Sequence, residues 1–268
     1  MTNPASWITA DGLSLALHDA GGDGLPVIFQ HGLCGDARQT AEAFPPDPRF
    51  RRITLECRGH GSSDFDPDPS LSQFTDDLAG LVASLGRAVP VGGISMGAAL
   101  ALRLAVARPE LVSHLILVRP AWGAGAEAPV NLAPNGAVGQ LLYRFPAAEA
   151  RAAFLESDMA AELRATSPDN LASLIGFFGR EPVSRTAILL SALSAEPLGV
   201  TRADLAALRL PVLICATAED AIHPAALARD LAAQIPGAVL CDLPAKGRDK
   251  AAHIAALHHE IIDFLTRT

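Results

Sequence analysis

Hydrophobic and polar positions follow two rhythms along the chain. Short, nearly unbroken apolar runs have the length and residue types of strands: LSLALH (13–18), PVIFQHG (26–32), RITLEC (52–57), AVPVGG (88–93), LILVRP (115–120), PVLICAT (211–217) and AVLCDLP (238–244). Between most of them lie segments such as FTDDLAGLVASLG and PAALARDLAAQI, whose apolar residues recur three and four apart, as on one face of a helix. Strand and helix in alternation predict an α/β fold with a mostly parallel central sheet and helices on both faces. Runs such as VLICA fit this arrangement, because a parallel strand covered on both sides has no wet face to alternate with. Ligands of such sheets bind beyond the carboxyl ends of the strands.

Residues 121–195 break the rhythm. A stretch rich in Gly, Ala and Pro, WGAGAEAPVNLAPNG, leads into short helical patterns that include AAEARAAFLES and NLASLIGFFG. The alternation resumes at DLAALRLPVLICA. The pattern predicts a core built from residues 1–120 and 196–268, with a helical cap, 121–195, inserted in it. No internal repeat or long low-complexity tract is present.

Composition narrows the classes. Half of the 268 residues are hydrophobic, enough for a large core. Acidic residues outnumber basic ones 29 to 21, for a net charge of −8, and no dense run of Lys and Arg exists to track a phosphate backbone. A nucleic-acid partner is not expected. The first twenty residues lack a basic start with an apolar run, and no later segment is apolar enough to span a bilayer, so a soluble cytoplasmic protein with no membrane partner is expected. Cys34, Cys57, Cys215 and Cys241 stand singly, without the spacing of a zinc site or a disulfide framework. They are expected to be small buried side chains, and no metal is expected. The sequence carries no signal for an oligomeric state.

The chemistry-bearing stretch is Gly93-Ile94-Ser95-Met96-Gly97, which ends a strand and opens the Ala-rich helix GAALALRLAVARPE. A sharp strand-to-helix turn would strain the serine, push its hydroxyl outward and admit only small neighbours. The free amides and positive dipole end of the helix start would face an oxyanion forming beside Ser95. A close-packed junction with an incidental serine is the plainer alternative. A phosphate loop is disfavoured, since the glycines match neither Gly-x-Gly-x-x-Gly nor a loop ending in Lys and Ser or Thr.

From these residues the chain resembles the α/β-hydrolase family over nearly its whole length. PVIFQHGLCG is similar to that family's strand followed by His-Gly, ECRGHGSSD to its Arg-Gly-x-Gly-x-Ser loop, GISMG to its nucleophile elbow and AEDAIHP to its acid loop. Within the family the chain looks most like cofactor-free, lid-bearing hydrolases of the enol-lactonase and esterase kind. The resemblance implies an oxyanion hole made by the backbone amides of Leu33 and Met96. Cys34 beside that hole lacks an elbow and an activating partner. His31 and His60 are read as loop-packing residues and Arg58 as a loop anchor.

Asp220 follows the strand PVLICA in the loop TAEDAIHP, placed as the family's acid is placed, where an aspartate can hold an imidazole in its useful tautomer. Glu219 next to it is expected to face away. The base departs from the pattern. In the family it usually follows the last strand in a Gly-His pair, and that slot here holds Arg248 after Gly247; arginine stays protonated and cannot accept a proton. Further on, His258 falls on the apolar stripe of the last helix and His259 on its wetter side. The order of candidates is His253, near the start of that helix, then no base at all, then His223, three residues past Asp220 on the same loop.

The cap sequence contributes aromatic residues, and Trp122, Tyr143, Phe154, Phe177 and Phe178 are expected to line an apolar pocket or pack beside it. Arg119 is expected to meet a substrate carboxylate or to form a structural ion pair. The expected function is a cofactor-free serine hydrolase cleaving a small carboxylic ester, lactone or thioester. Two alternatives stand: a C–C bond hydrolase using the same serine, and a ligand-binding protein of hydrolase shape whose triad has lost its base.

Overall fold

The computed structural model describes residues 4–267, so the first three residues of the amino-terminal stretch considered above lie outside it. In chain order the elements are β1 (Ala5–Ile8), β2 (Ser14–Asp19), β3 (Leu25–Gln30), α1 (Ala37–Ala43), β4 (Phe50–Leu55), α2 (Leu71–Ser84), β5 (Val89–Ile94), α3 (Met96–Ala107) and β6 (Val112–Val118). Five helices follow: α4 (Ala133–Arg144), α5 (Ala147–Leu155), α6 (Asp158–Thr166), α7 (Pro168–Phe177) and α8 (Val183–Ala195). The chain closes with α9 (Arg202–Ala207), β7 (Val212–Thr217), α10 (Ala225–Gln234), β8 (Val239–Leu243) and α11 (Lys250–Arg267).

The strands form one eight-stranded sheet in the order β1-β2-β4-β3-β5-β6-β7-β8. Pairing is antiparallel between β1 and β2 and between β2 and β4, and parallel from β4 through β8. All seven expected strands are present, and the edge strand β1 adds to them. Its four residues are exposed or half-buried, so no apolar run marks it in the sequence. Among the described residues no helix is long and apolar enough to cross a membrane.

The continuous apolar runs have the expected cause. Along β6, Leu115 and Leu117 join a core under one face of the sheet with Leu78 of α2 and Leu100 and Leu104 of α3. Their neighbours Ile116 and Val118 join a second core under the other face, with Leu257, Ile261 and Phe264 of α11. Successive side chains of a strand point to opposite faces, so a strand with a core on each side needs an apolar residue at every position.

This topology also places a crevice. From β3 the chain moves toward β4, and from β5 it moves the other way toward β6, while β3 and β5 lie side by side. The loops leaving their carboxyl ends diverge, and a ligand can settle between them. The turn after β3 carries Gly32 and Leu33; the turn after β5 carries Ser95. Helices α4 to α8 leave the chain between β6 and β7 and pack on one another, with Phe154 and Phe178 buried 5.7 Å apart. Helices α4 and α8 approach so closely at Gly139 that a Cβ there would lie 2.5 Å from Ser191 Oγ.

Candidate active site

Ser95 sits between β5 and α3 with φ 56° and ψ −111°, a conformation that side chains rarely adopt, and its amide donates to Val118 O at 3.0 Å. Its neighbours have to be glycine. A Cβ on Gly93 would lie 2.6 Å from Gln30 O, and one on Gly97 would lie 2.3 Å from the same oxygen. The first helical bond of α3 runs from Ala99 N to Ser95 O, so the amides of residues 96–98 have no acceptor within the helix. Gly32 is close enough that a Cβ on it would contact Ser95 Cβ at 3.4 Å, bringing the 32–33 turn against the serine.

The hydroxyl of Ser95 meets His223, whose Nε2 is 2.9 Å from Ser95 Oγ. On the other side of the ring, His223 Nδ1 is 2.9 Å from Asp220 Oδ1 and 3.0 Å from Oδ2. A nitrogen facing a carboxylate carries the proton, which leaves the Nε2 lone pair directed at the serine hydroxyl. The backbone amide of His223 also donates to Asp220 Oδ1 at 2.9 Å. The aspartate therefore closes a turn on the same residue whose ring it orients.

His253, first in the sequence order, does not occupy this position. It lies in the first turn of α11, buried, with Nδ1 donating to Pro244 O at 2.9 Å, while Ser95 Oγ is engaged by His223. Helix α11 begins at Lys250, so the 247–253 stretch does not form the long loop that would swing this imidazole toward Ser95. Arg248 points outward and pairs with Glu219. His258 bonds Glu42 O at 3.0 Å and His259 is exposed.

Electrostatics favours an ionised acid beside a neutral base. Burial opposes the Asp220 charge, but His223, the Arg119 guanidinium and an amide hydrogen bond from Asn170 outweigh it and hold the carboxyl well below its usual range. Burial is also the largest influence on His223 and lowers its pKa; Asp220 pulls upward, and Arg119 adds to the lowering. The ring is thus disposed to be neutral, the form able to accept a proton.

Arg119 forms its ion pair inside the protein, with Nε 3.5 Å from Asp220 Oδ2 and Nη2 3.5 Å from His223 Nδ1. Burial pushes the Cys34 thiol up to about 12, which leaves it protonated and unreactive at neutral pH. The rings of His31 and His60 lie 4.7 Å apart, and each accepts a backbone amide through Nε2, from Cys57 and Cys34 respectively. Arg58 bonds Asp77, Asp11 and Asp66 and anchors its loop.

A cavity of about 230 Å³ opens over Ser95 and His223 between the sheet edge and the inserted helices. Trp122, Phe177, Leu132 and Leu174 give it apolar walls, and Arg119 and His253 also line it. Tyr143 does not reach it and is 59% exposed, while Phe154 and Phe178 are buried in the same apolar core as Leu78 of α2 and Leu100 of α3. A larger cleft of about 1110 Å³ lies beyond the Cys34–Asp36 turn, and none of Ser95, Asp220 and His223 lines it.

A family model described as alpha/beta hydrolase fold matches residues 26–249, and the chain belongs to that family. Among individual proteins, BpoC of Mycobacterium tuberculosis H37Rv, named as a non-heme bromoperoxidase, is 29% identical over 237 residues, covering 86% of this chain and 89% of its own. The mouse protein named sn-1-specific diacylglycerol lipase ABHD11 is 33% identical over 128 residues, 46% of this chain, and the match spans only 39% of the lipase. The solved enol-lactonase of Burkholderia xenovorans LB400 superposes with a TM-score of 0.71 over 98% of this chain and 100% of its own, at 22% identity, a likeness of fold.

Proposed function

We propose that the chain is a cofactor-free serine hydrolase acting on a small carboxylic ester, lactone or thioester through an acyl-enzyme. The observation that carries this reading is the continuous relay from Ser95 Oγ through His223 to Asp220, with contacts of 2.9, 2.9 and 3.0 Å. Ser95 attacks the carbonyl carbon while His223 Nε2 takes its proton. The imidazolium that forms is stabilised by Asp220 and then gives the proton to the leaving oxygen or sulfur. Water attacks the acyl-enzyme by the same route in reverse, and Ser95 is released. The amides of Met96 and Leu33 are the proposed donors to the oxyanion, worth ~3 kcal/mol each in sites of this kind.

Residues 121–195 serve as the cap in this reading, and the cavity beneath it suits a small acyl or lactone group with an apolar body. Relatives and neighbours named as a lipase and an enol-lactonase support the ester and lactone classes. The contact between His223 and Ser95 supports this reading over the binding-only alternative. A p-nitrophenyl ester tests the proposal. Rapid mixing is expected to release a stoichiometric burst of nitrophenol before the steady state, with the acyl group on Ser95 by peptide mass analysis. Absence of both burst and turnover would overturn it.

A further inference from the structure

The acid and the base of the relay, Asp220 and His223, lie on one short loop, and side chains from the segment between β6 and β7 hold that loop. Asn170 of α7, buried to within 4% of its surface, donates through Nδ2 to Asp220 Oδ1 at 2.9 Å. Its Oδ1 accepts from Ala221 N at 2.7 Å and Ile222 N at 3.3 Å. Backbone amides only donate, so the carbonyl end of this side chain has to face them and the amino end has to face the carboxylate. One amide thus spans the acid and the two residues that link it to the base. Asn131, at the start of the insertion, donates to Ile222 O at 2.7 Å and to Ala121 O at 3.0 Å. The loop itself bends at Glu219, where φ is 58°.

We propose that Asn170 is a positioning residue for the reaction: it fixes the Asp220 carboxylate and the 221–222 backbone so that the His223 ring reaches Ser95, and the inserted helices therefore assemble the relay as well as cover the cavity. The inference rests on the serine-hydrolase reading. Its physical basis is that a base carried three residues from its acid has no second loop to set its position, so an error in the loop displaces both groups together. Helix α7, in turn, is tied to the other side of the site by the Lys246–Asp169 ion pair at 2.9 Å.

The test compares wild type, Asn170→Ala, Asn170→Asp and, as a control on the exposed outer face of the insertion, Tyr143→Ala. Each is assayed with p-nitrophenyl acetate for kcat, KM and the pH dependence of kcat/KM, and for its rate of labelling by a fluorophosphonate. Circular dichroism verifies folding. Asn170→Ala is expected to lower kcat and the labelling rate roughly ten- to a hundredfold, the scale on which misplaced catalytic groups cost rate, with little change in KM. Asn170→Asp keeps an acceptor for the amides of 221 and 222 but sets a second carboxylate against Asp220. The two carboxyl groups share one proton, which bridges them as the amide does in wild type; its loss as pH rises sets two charges in contact and is expected to cut kcat above a limb that wild type lacks. Tyr143→Ala is expected to match wild type.

Unchanged kcat and labelling in Asn170→Ala overturn the inference. So does an Asn170→Asp profile that keeps wild-type kcat at every pH, whether or not the alanine variant folds. If wild type itself neither turns over nor labels, the serine-hydrolase reading fails first.

Discussion

Replacing Arg119 with methionine removes a charge that faces both halves of the relay while nearly preserving the apolar stem. The guanidinium nitrogen Nη2 lies 3.5 Å from His223 Nδ1 and Nε lies 3.5 Å from Asp220 Oδ2. A unit positive charge at that distance from the imidazolium costs about 1.2 kcal/mol even in a water-like dielectric, and more in the half-dry environment of this site. Its removal raises the His223 pKa. The direction follows from the charge: Arg119 disfavours the protonated ring and lowers its pKa. Without it the ring stays protonated to higher pH. The acid limb of kcat/KM, which reports the free enzyme's base, should therefore move to higher pH in Arg119→Met. Arg119→Lys should move it less. The assay is initial-rate hydrolysis of a short-chain aryl ester across a constant-ionic-strength pH series. An acid limb that stays in place, or moves down, would refute the claim that this imidazole is the base and that Arg119 sets its protonation.

Two further outcomes test the framework that holds the site. Gly97→Ala should abolish activity and lower stability, because its Cβ would enter the space of Gln30 O at 2.3 Å, and thermal melting together with labelling at Ser95 checks both effects. Phe154→Ala should cost about 3–5 kcal/mol in urea unfolding, since it empties a buried ring position packed against Phe178. A cost below ~1 kcal/mol would show that the inserted helices are not held by that contact.

Much of this architecture was legible in the sequence, and the parts that were not have physical reasons. Strands buried on both faces announce themselves through continuous apolar runs, as β6 and β7 do. Strand β1 has no buried face to force such a run. Ser95 was readable because the close approach of Gln30 O demands glycine on both sides of it, leaving a local signature. The place of Asp220 just beyond β7 was readable too. The contact of His223 with Ser95 was not, because it depends on how the 220–223 turn folds: Asp220 accepts the His223 amide and ring together, and the sequence offered only a histidine three residues past the acid on the same loop. Helical spacing placed His253 near the right edge of the sheet, but periodicity gives no information on which carbonyl will claim a ring nitrogen, and Pro244 O claims this one. The hold of Asn131 and Asn170 on the acid's loop left no trace, since the loop residues they bond are 91 and 50 to 52 residues away in the chain.

In the proposed mechanism the proton relay of Ser95 runs through the imidazole of the acid's own loop. Side-by-side rates of fluorophosphonate labelling for His223→Ala and His253→Ala test it most directly. Labelling is expected to slow by about 10²- to 10⁴-fold in the first variant and to stay close to wild type in the second. The reverse pattern, rapid labelling without His223 and none without His253, would contradict it.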